Sequence, residues 1–573
     1  MVKKKLIVIL VAVIAIVLIL VFGVGKKAVD TYAYGTEKAN LQEFYGVSGD
    51  QLAIILMDTK VAEKALYKNN TCYFNMETID KYIGTGFYYA ESYNGGTLMF
   101  TVGDGTYETV ISESSYTYKG ESQSLGAPIS FEQNGYIYIS ADYLSRFFNF
   151  DYEVFECRVQ LTTEWSEYTA MTVDSNTQIR VQGGIKSEIL REVSKGETVK
   201  LIEAMEKWSK VKTSDSFIGY IENKKMTNAG VISEIAPVKE DVARVDQILL
   251  DKRITLGFHS VAGVAGNDTL SAMVEESRGM NVIAPTWFSL NDNQGGIRNF
   301  ATSNYVTSAH GKGLWVWGVL DDFNYRNETG EKIDDLAILS NTDYRRALEN
   351  NIVNAAVNVG LDGISLDFEK VSSECGPHYA QFIKELSVLT HEKGLVLSAN
   401  NYVPFNYNEH YHIDVQGEYM DYVIIMGYDE HYHGSGNPGS VASFDYVVNG
   451  LDKTLEMVAS ERIINALPFY TIVWKNEGGK VTDSYLTVVN EDEYFRKLGV
   501  NYSWDETTCQ NYAEWKSGDT TYMVWLEDED SITAKLNAMN ARNIGGVAVW
   551  RLGYGTPGVW NVVSLYGNMV ATE

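Results

Sequence analysis

Along the second half of the chain, short apolar runs recur at strand length, separated by stretches whose apolar residues recur every three or four positions. The runs cover residues 254–260, 281–288, 314–320, 361–369, 395–400, 422–429, 463–470 and 546–550. Near-continuous apolarity of this kind marks strands covered on both faces. Between the third and fourth runs, Leu348, Ile352, Ala355, Ala356 and Val359 fall at helical spacing. Asn341 or Thr342 is placed to cap that helix, and Gly360 to end it. After the fourth run, Pro377 opens a second helix striped by Tyr379, Phe382, Ile383, Leu386 and Leu389 and closed by Gly394. Strand and helix in alternation predict parallel βαβ units, and eight such strands predict an α/β (β/α)8 TIM barrel over residues 251–573.

The first half is patterned differently. Residues 31–163 are rich in strand signals, with turns at Asn94-Gly95-Gly96, Gly103-Asp104-Gly105 and Asn134-Gly135. Tyr136 to Ile139 alternates as a half-buried strand, and Ala141 to Phe148 reads as a short helix, so this part is expected to be an α+β domain. Residues 168–226 break into short strands and predict a small all-β domain; the polar segment 227–250, around Pro237, Lys239, Glu240 and Asp241, is expected to be a linker. At the start, Lys3, Lys4 and Lys5 precede an uncharged apolar run from Leu6 to about Val24, followed by Lys26 and Lys27. As a helix that run spans about 30 Å of hydrocarbon. Residues 1–27 are therefore expected to be a cytoplasmic basic tip and a single transmembrane signal anchor in the cell membrane, with the rest extracytoplasmic. A cleaved signal peptide is the alternative, although its apolar core is usually about 7 to 15 residues and no Ala-x-Ala site follows here.

Charge narrows the partners. The net charge of −28 over 573 residues argues against nucleic acid. The 38 tyrosines suit either stacking on sugar rings or a β-rich exported chain. Cys72, Cys157, Cys375 and Cys509 lack CxxC spacing; they are compatible with the pairs Cys72–Cys157 and Cys375–Cys509 or with free thiols. His410, His412, His431 and His433 lie near one another in sequence without a coherent third ligand, so neither a metal nor a cofactor is expected.

The fourth run carries the chemistry. In strand alternation Ser365, Asp367 and Glu369 share one side, while Ile364, Leu366 and Phe368 share the other. Desolvating neighbouring carboxylates costs several kcal/mol unless one keeps a proton or both are hydrogen-bonded, which is how an acid with a raised pKa is made. In parallel α/β folds such groups sit at the carboxyl ends of strands.

The stretch from Asp362 to Glu369 resembles the Asp-x-x-Asp-x-Asp-x-Glu signature of glycoside hydrolase family 18, the chitinase-like barrels, with Ser365 at the second acidic place. The resemblance extends over residues 253–565 through Met426-x-Tyr428-Asp429, Leu467-Pro468-Phe469-Tyr470 and Trp550-Arg551-Leu552-Gly553. Residues 522–528 and 531–536 look like the branch containing spore-cortex and peptidoglycan N-acetylglucosaminidases. Residues 168–226 resemble a bacterial SH3 domain whose usual corner is replaced by Arg180-Val181-Gln182-Gly183; it is expected either to contact wall peptides or to act as a spacer. The segment 134–148 is similar to repeats of the copper amine oxidase amino-terminal-like domain, with a weaker copy over 66–111 and no copper chemistry implied.

The family resemblance implies retaining, substrate-assisted cleavage after N-acetylglucosamine in peptidoglycan or a related glycan, in which the substrate's acetamide oxygen attacks the anomeric carbon. It implies Glu369 as general acid, Asp367 holding the acetamide N–H and Tyr428 its oxygen. Asp429, Trp550, Ser365, Asp362 and Phe258 complete the expected sugar contacts, with Trp550 as the floor. A serine at 365 can hydrogen-bond Asp367 but cannot carry the charge of the family's second acid. The alternatives are a catalytically weak, lectin-like barrel and a chitinase or endoglycosidase acting on other N-acetylhexosamine glycans.

Overall fold

The computed structural model describes residues 10–19, 21, 31–238, 242–324, 326–327 and 329–568. They fall into two compact units, one of residues 1–86, 111–116 and 123–242, the other of residues 87–110, 117–122 and 243–573. Among the described residues no helix is long and apolar enough to cross a membrane. Residues 10–19 are helical with exposed apolar side chains; much of the expected anchor lies outside the described residues.

The first unit holds two seven-stranded sheets. In one, Gln51–Leu56 pairs with Arg158–Thr162 in parallel and with Thr59–Lys68 in antiparallel fashion. The expected strand and helix appear there as Tyr136–Ser140 and Ala141–Leu144, the helix stopping short because Ser145 already caps it. The second is the SH3-like sheet, running from Glu167–Val173 to Met226–Ser233. The expected linker therefore begins later than its polarity suggests: residues 226–233 pair with the opening strand, Tyr168 opposite Ile232. Ile55, Val173, Ile179, Val211 and Ile221 belong to one buried cluster, so the two sheets share a core.

In the second unit eight parallel strands close on themselves: β1 Ile254–His259, β2 Val282–Leu290, β3 Trp315–Asp321, β4 Gly363–Asp367, β5 Val396–Tyr402, β6 Tyr422–Met426, β7 Ile463–Pro468 and β8 Gly546–Trp550. β1 pairs with both β2 and β8, which makes the sheet a barrel. Helix α1, Thr342–Val359, is capped by Asn341, whose side chain accepts from Asp343 and Tyr344 N–H, and ends at Gly360 with φ 81°. Helix α2, Gly376–Glu392, follows β4 with Pro377 in its first turn and buries Tyr379, Phe382, Ile383 and Leu386. The floor is sealed by the end of the expected linker: the N–H groups of Ile248 and Leu250 donate to Asp421 Oδ1 at 2.6 Å and Tyr422 Oη at 2.8 Å.

Two additions were not predicted. Between β7 and β8, residues 470–525 form a five-stranded antiparallel sheet around a helix, Val488–Leu498. Residues 87–110, expected in the amino-terminal domain, lie instead on α1 and α2. Arg346 bonds Glu108 at 2.6 Å, Gln381 bonds Thr101 Oγ1 at 3.0 Å, and the buried Tyr419 hydroxyl donates to Thr101 O at 2.7 Å.

Candidate active site

The carboxyl ends of the barrel strands enclose a cavity of about 370 Å³. Alternation along β4 sends Asp367 inward, and Glu369 follows just past the strand end, where the chain clears the barrel wall. Asp367 is buried, with Asn400 Nδ2 from β5 donating to it at 3.1 Å. Glu369 is half-buried and accepts a hydrogen bond from Tyr402 Oη at 2.5 Å.

Burial raises the Asp367 carboxyl well above its ordinary range; the neighbouring Glu369 charge adds to this and the Asn400 bond opposes it. Burial also raises Glu369, against the Tyr402 hydrogen bond, with the charges of Asp322 and Asp429 adding to the rise. The pair thus favours keeping at least one proton, the state in which a carboxyl can donate to a leaving group.

The surrounding shell fixes this geometry. Asp322, at the end of β3, accepts from Lys370 N at 2.7 Å, while Lys370 Nζ donates to Asp322 O at 2.6 Å, pinning the backbone just after Glu369. Tyr428 extends from β6 into the cavity. The next residue, Asp429, has φ 61°, a left-handed conformation that Asp adopts more readily than most residues, and accepts from Tyr470 Oη at 2.5 Å. Trp550 and Phe258, ring centroids 5.6 Å apart, line the wall formed by β8 and β1.

Of the residues expected from the sequence, Asp367, Glu369, Tyr428, Asp429, Trp550 and Phe258 line this one cavity. Asp362 and Ser365 do not. Asp362 lies at the opposite end of β4, where it accepts from Val316 N at 2.7 Å and contacts His310 Nε2 at 2.8 Å; its place is structural. Ser365 is fully buried in the barrel, and its hydroxyl has no hydrogen-bond partner among the described residues. Asp367 takes its bond from Asn400 rather than from the serine. The sequence reading missed Asn400, Tyr402, Asp322, Arg551 and Tyr554; their shared signal is a polar or aromatic residue at or just beyond the carboxyl end of a predicted strand. The Trp550–Arg551 peptide is cis, which no sequence pattern announces.

The four loop histidines are engaged separately. His410 contacts Val371 O at 2.9 Å, His431 contacts Asn437 O at 2.9 Å, His433 pairs with Asp483, and His412 Nδ1 lies 3.7 Å from Asp414 Oδ1 at the start of the helix Ile413–Tyr419. All four cysteines are free thiols.

With this geometry in view, residues 334–555 match the family described as Glycosyl hydrolases family 18. The chain carries a family 18 glycosyl hydrolase domain. Residues 175–226 match the Bacterial SH3 domain. The chain is 26% identical over 305 residues to the uncharacterized glycosylase YvbX of Bacillus subtilis, covering 50% of this chain and 84% of that protein. It is 26% identical over 252 residues to the cortical fragment-lytic enzyme of Bacillus subtilis, covering 41% of this chain and 56% of the relative. The solved spore cortex-lytic enzyme SleL of Bacillus cereus aligns with a TM-score of 0.49 at 20% identity, over 60% of this chain and 80% of that one. The family 18 domain makes the chain a glycoside hydrolase, and Asp367, Glu369, Tyr428 and Trp550 fall within the matched range.

Proposed function

We propose that the barrel cleaves β-1,4 bonds after N-acetylglucosamine in cell-wall peptidoglycan or a related glycan, with retention and with help from the substrate's own acetamide. The observation that carries this reading is the pairing of a buried Asp367 with a half-buried Glu369, both raised in pKa, in a cavity walled by Trp550, Tyr428 and Tyr402. The similarity to a cortical fragment-lytic enzyme supports the wall as the source of the glycan.

In this reaction Glu369 gives its proton to the glycosidic oxygen while the acetamide oxygen attacks the anomeric carbon from the other face, closing an oxazolinium ring. Asp367 accepts the acetamide N–H and balances the ring's positive charge. The Tyr428 hydroxyl holds the acetamide oxygen, and the sugar lies on Trp550. Water activated by the now ionised Glu369 reopens the ring, so the product keeps its configuration. Asn400 and Tyr402 hold the two carboxyls for these roles. The apolar run at residues 6–24 would tether the chain to the membrane, and the SH3-like domain would meet or space the barrel from the wall.

Proton NMR of the first-formed anomer checks the chemistry. Retention together with inhibition by an N-acetylglucosamine thiazoline, a mimic of the cyclised intermediate, is the expected result. An inverted product, or retention without thiazoline inhibition, contradicts acetamide participation.

A further inference from the structure

The cavity's charges are unevenly matched. Its lining contains three carboxylates, Asp367, Glu369 and Asp429, and a single cation, Arg551. In a chain of net charge −28, an arginine at such a site would ordinarily find a carboxylate. Among the described residues Arg551 has none. Its contacts are with Tyr554, whose hydroxyl accepts from Nη2 at 2.7 Å and whose ring centroid lies 4.2 Å from the guanidinium carbon. This contact holds the guanidinium plane while leaving its other N–H groups unspent, and a planar fork with free donors matches a carboxylate. The half-exposed side chain reaches the same cavity as the Trp550 floor.

We propose that Arg551 is a specificity-determining residue that binds a carboxylate carried by the glycan, so that the site selects an acidic wall glycan over a neutral chitin-type one. This rests on the glycosidase reading above and names its substrate class. Chitin offers only hydroxyls and acetamides. Wall glycan offers carboxylates from two sources, the ether-linked lactyl group of a sugar freed of its peptide and the acidic side chains and terminus of an attached peptide.

The test compares the full chain with Arg551→Gln and Arg551→Lys. The substrates are peptide-bearing wall glycan, the same strands freed of peptide by an amidase, and chito-oligosaccharides. The readout is the ratio of kcat/KM on each acidic glycan to that on the neutral one. Loss of a charge-assisted hydrogen bond predicts a fall of about 10-fold or more in this ratio for Arg551→Gln, with partial recovery in Arg551→Lys. Added salt is expected to lower the wild-type ratio. A fall confined to peptide-bearing strands assigns the contact to peptide carboxylates; one confined to bare strands assigns it to the lactyl group. An unchanged ratio on both, or equal proportional losses on all three glycans, overturns the proposal. Binding to the Glu369→Gln chain separates the two readings. If the wild type cleaves no glycan but binds the acidic one only with Arg551 present, the reaction is wrong and the carboxylate contact stands. Equal binding with and without Arg551 contradicts the contact itself.

Discussion

Glu369 works between opposing influences. Burial and the charges of Asp322 and Asp429 raise its pKa, while the Tyr402 hydrogen bond lowers it. In its proposed role of general acid it must hold a proton, so activity is expected to fall as pH rises through its raised pKa, on a limb above the ordinary Glu value of about 4.3. Asp322→Asn removes a negative charge yet keeps an acceptor for Lys370 N–H, so that limb moves to lower pH. Tyr402→Phe removes a bond that favours the ionised form, so it moves to higher pH. Shifts of roughly one unit or less in opposite directions are expected in pH–rate profiles; shifts in the same direction contradict this assignment. Asp367 and Glu369 were legible in the sequence because two acids on an apolar strand demand explanation. Asn400 and Asp322 were not, since each acts on β4 from another strand and their pairing exists only once the barrel has closed. The signature's spacing also grouped Asp362 and Ser365 with the site, though one lies at the barrel's far end and the other inside its wall.

At the level of elements, the eight barrel strands were readable from their apolar runs because both faces of each are covered. The segment 87–110 was not, because its strands, Thr97–Val102 buried throughout, look like those of any small β-sheet and its partners lie more than 200 residues away on α1 and α2. Its docking gives a stability prediction. Tyr419 is buried and its hydroxyl donates to the Thr101 carbonyl. In the full chain, Tyr419→Phe is expected to cost about 1 kcal/mol in the barrel's unfolding transition. In a fragment beginning at Ala243, which lacks the acceptor, the same change is expected to cost little, and the fragment itself to melt earlier. Equal costs in the two backgrounds, measured by thermal and urea denaturation, contradict a stabilising role for this segment.

At the scale of the whole molecule, one unit combines a seven-stranded sheet and an SH3-like sheet on a shared core, and the other is a family 18 barrel. On the function proposed above, the apolar amino-terminal run, the bacterial SH3 domain and the glycosidase barrel would together hold an enzyme at the membrane to work on the wall outside it. The proposed role of Glu369 is that of the acid that cuts this glycan. Its most direct test incubates the chain, beside Glu369→Gln, with purified peptidoglycan and identifies the reducing ends by mass spectrometry. The prediction is fragments ending in reducing N-acetylglucosamine from the wild type and a rate lower by about 10²-fold or more from the variant. Fragments released at the same rate by both chains, or bound glycan with no cleavage by either, would contradict it.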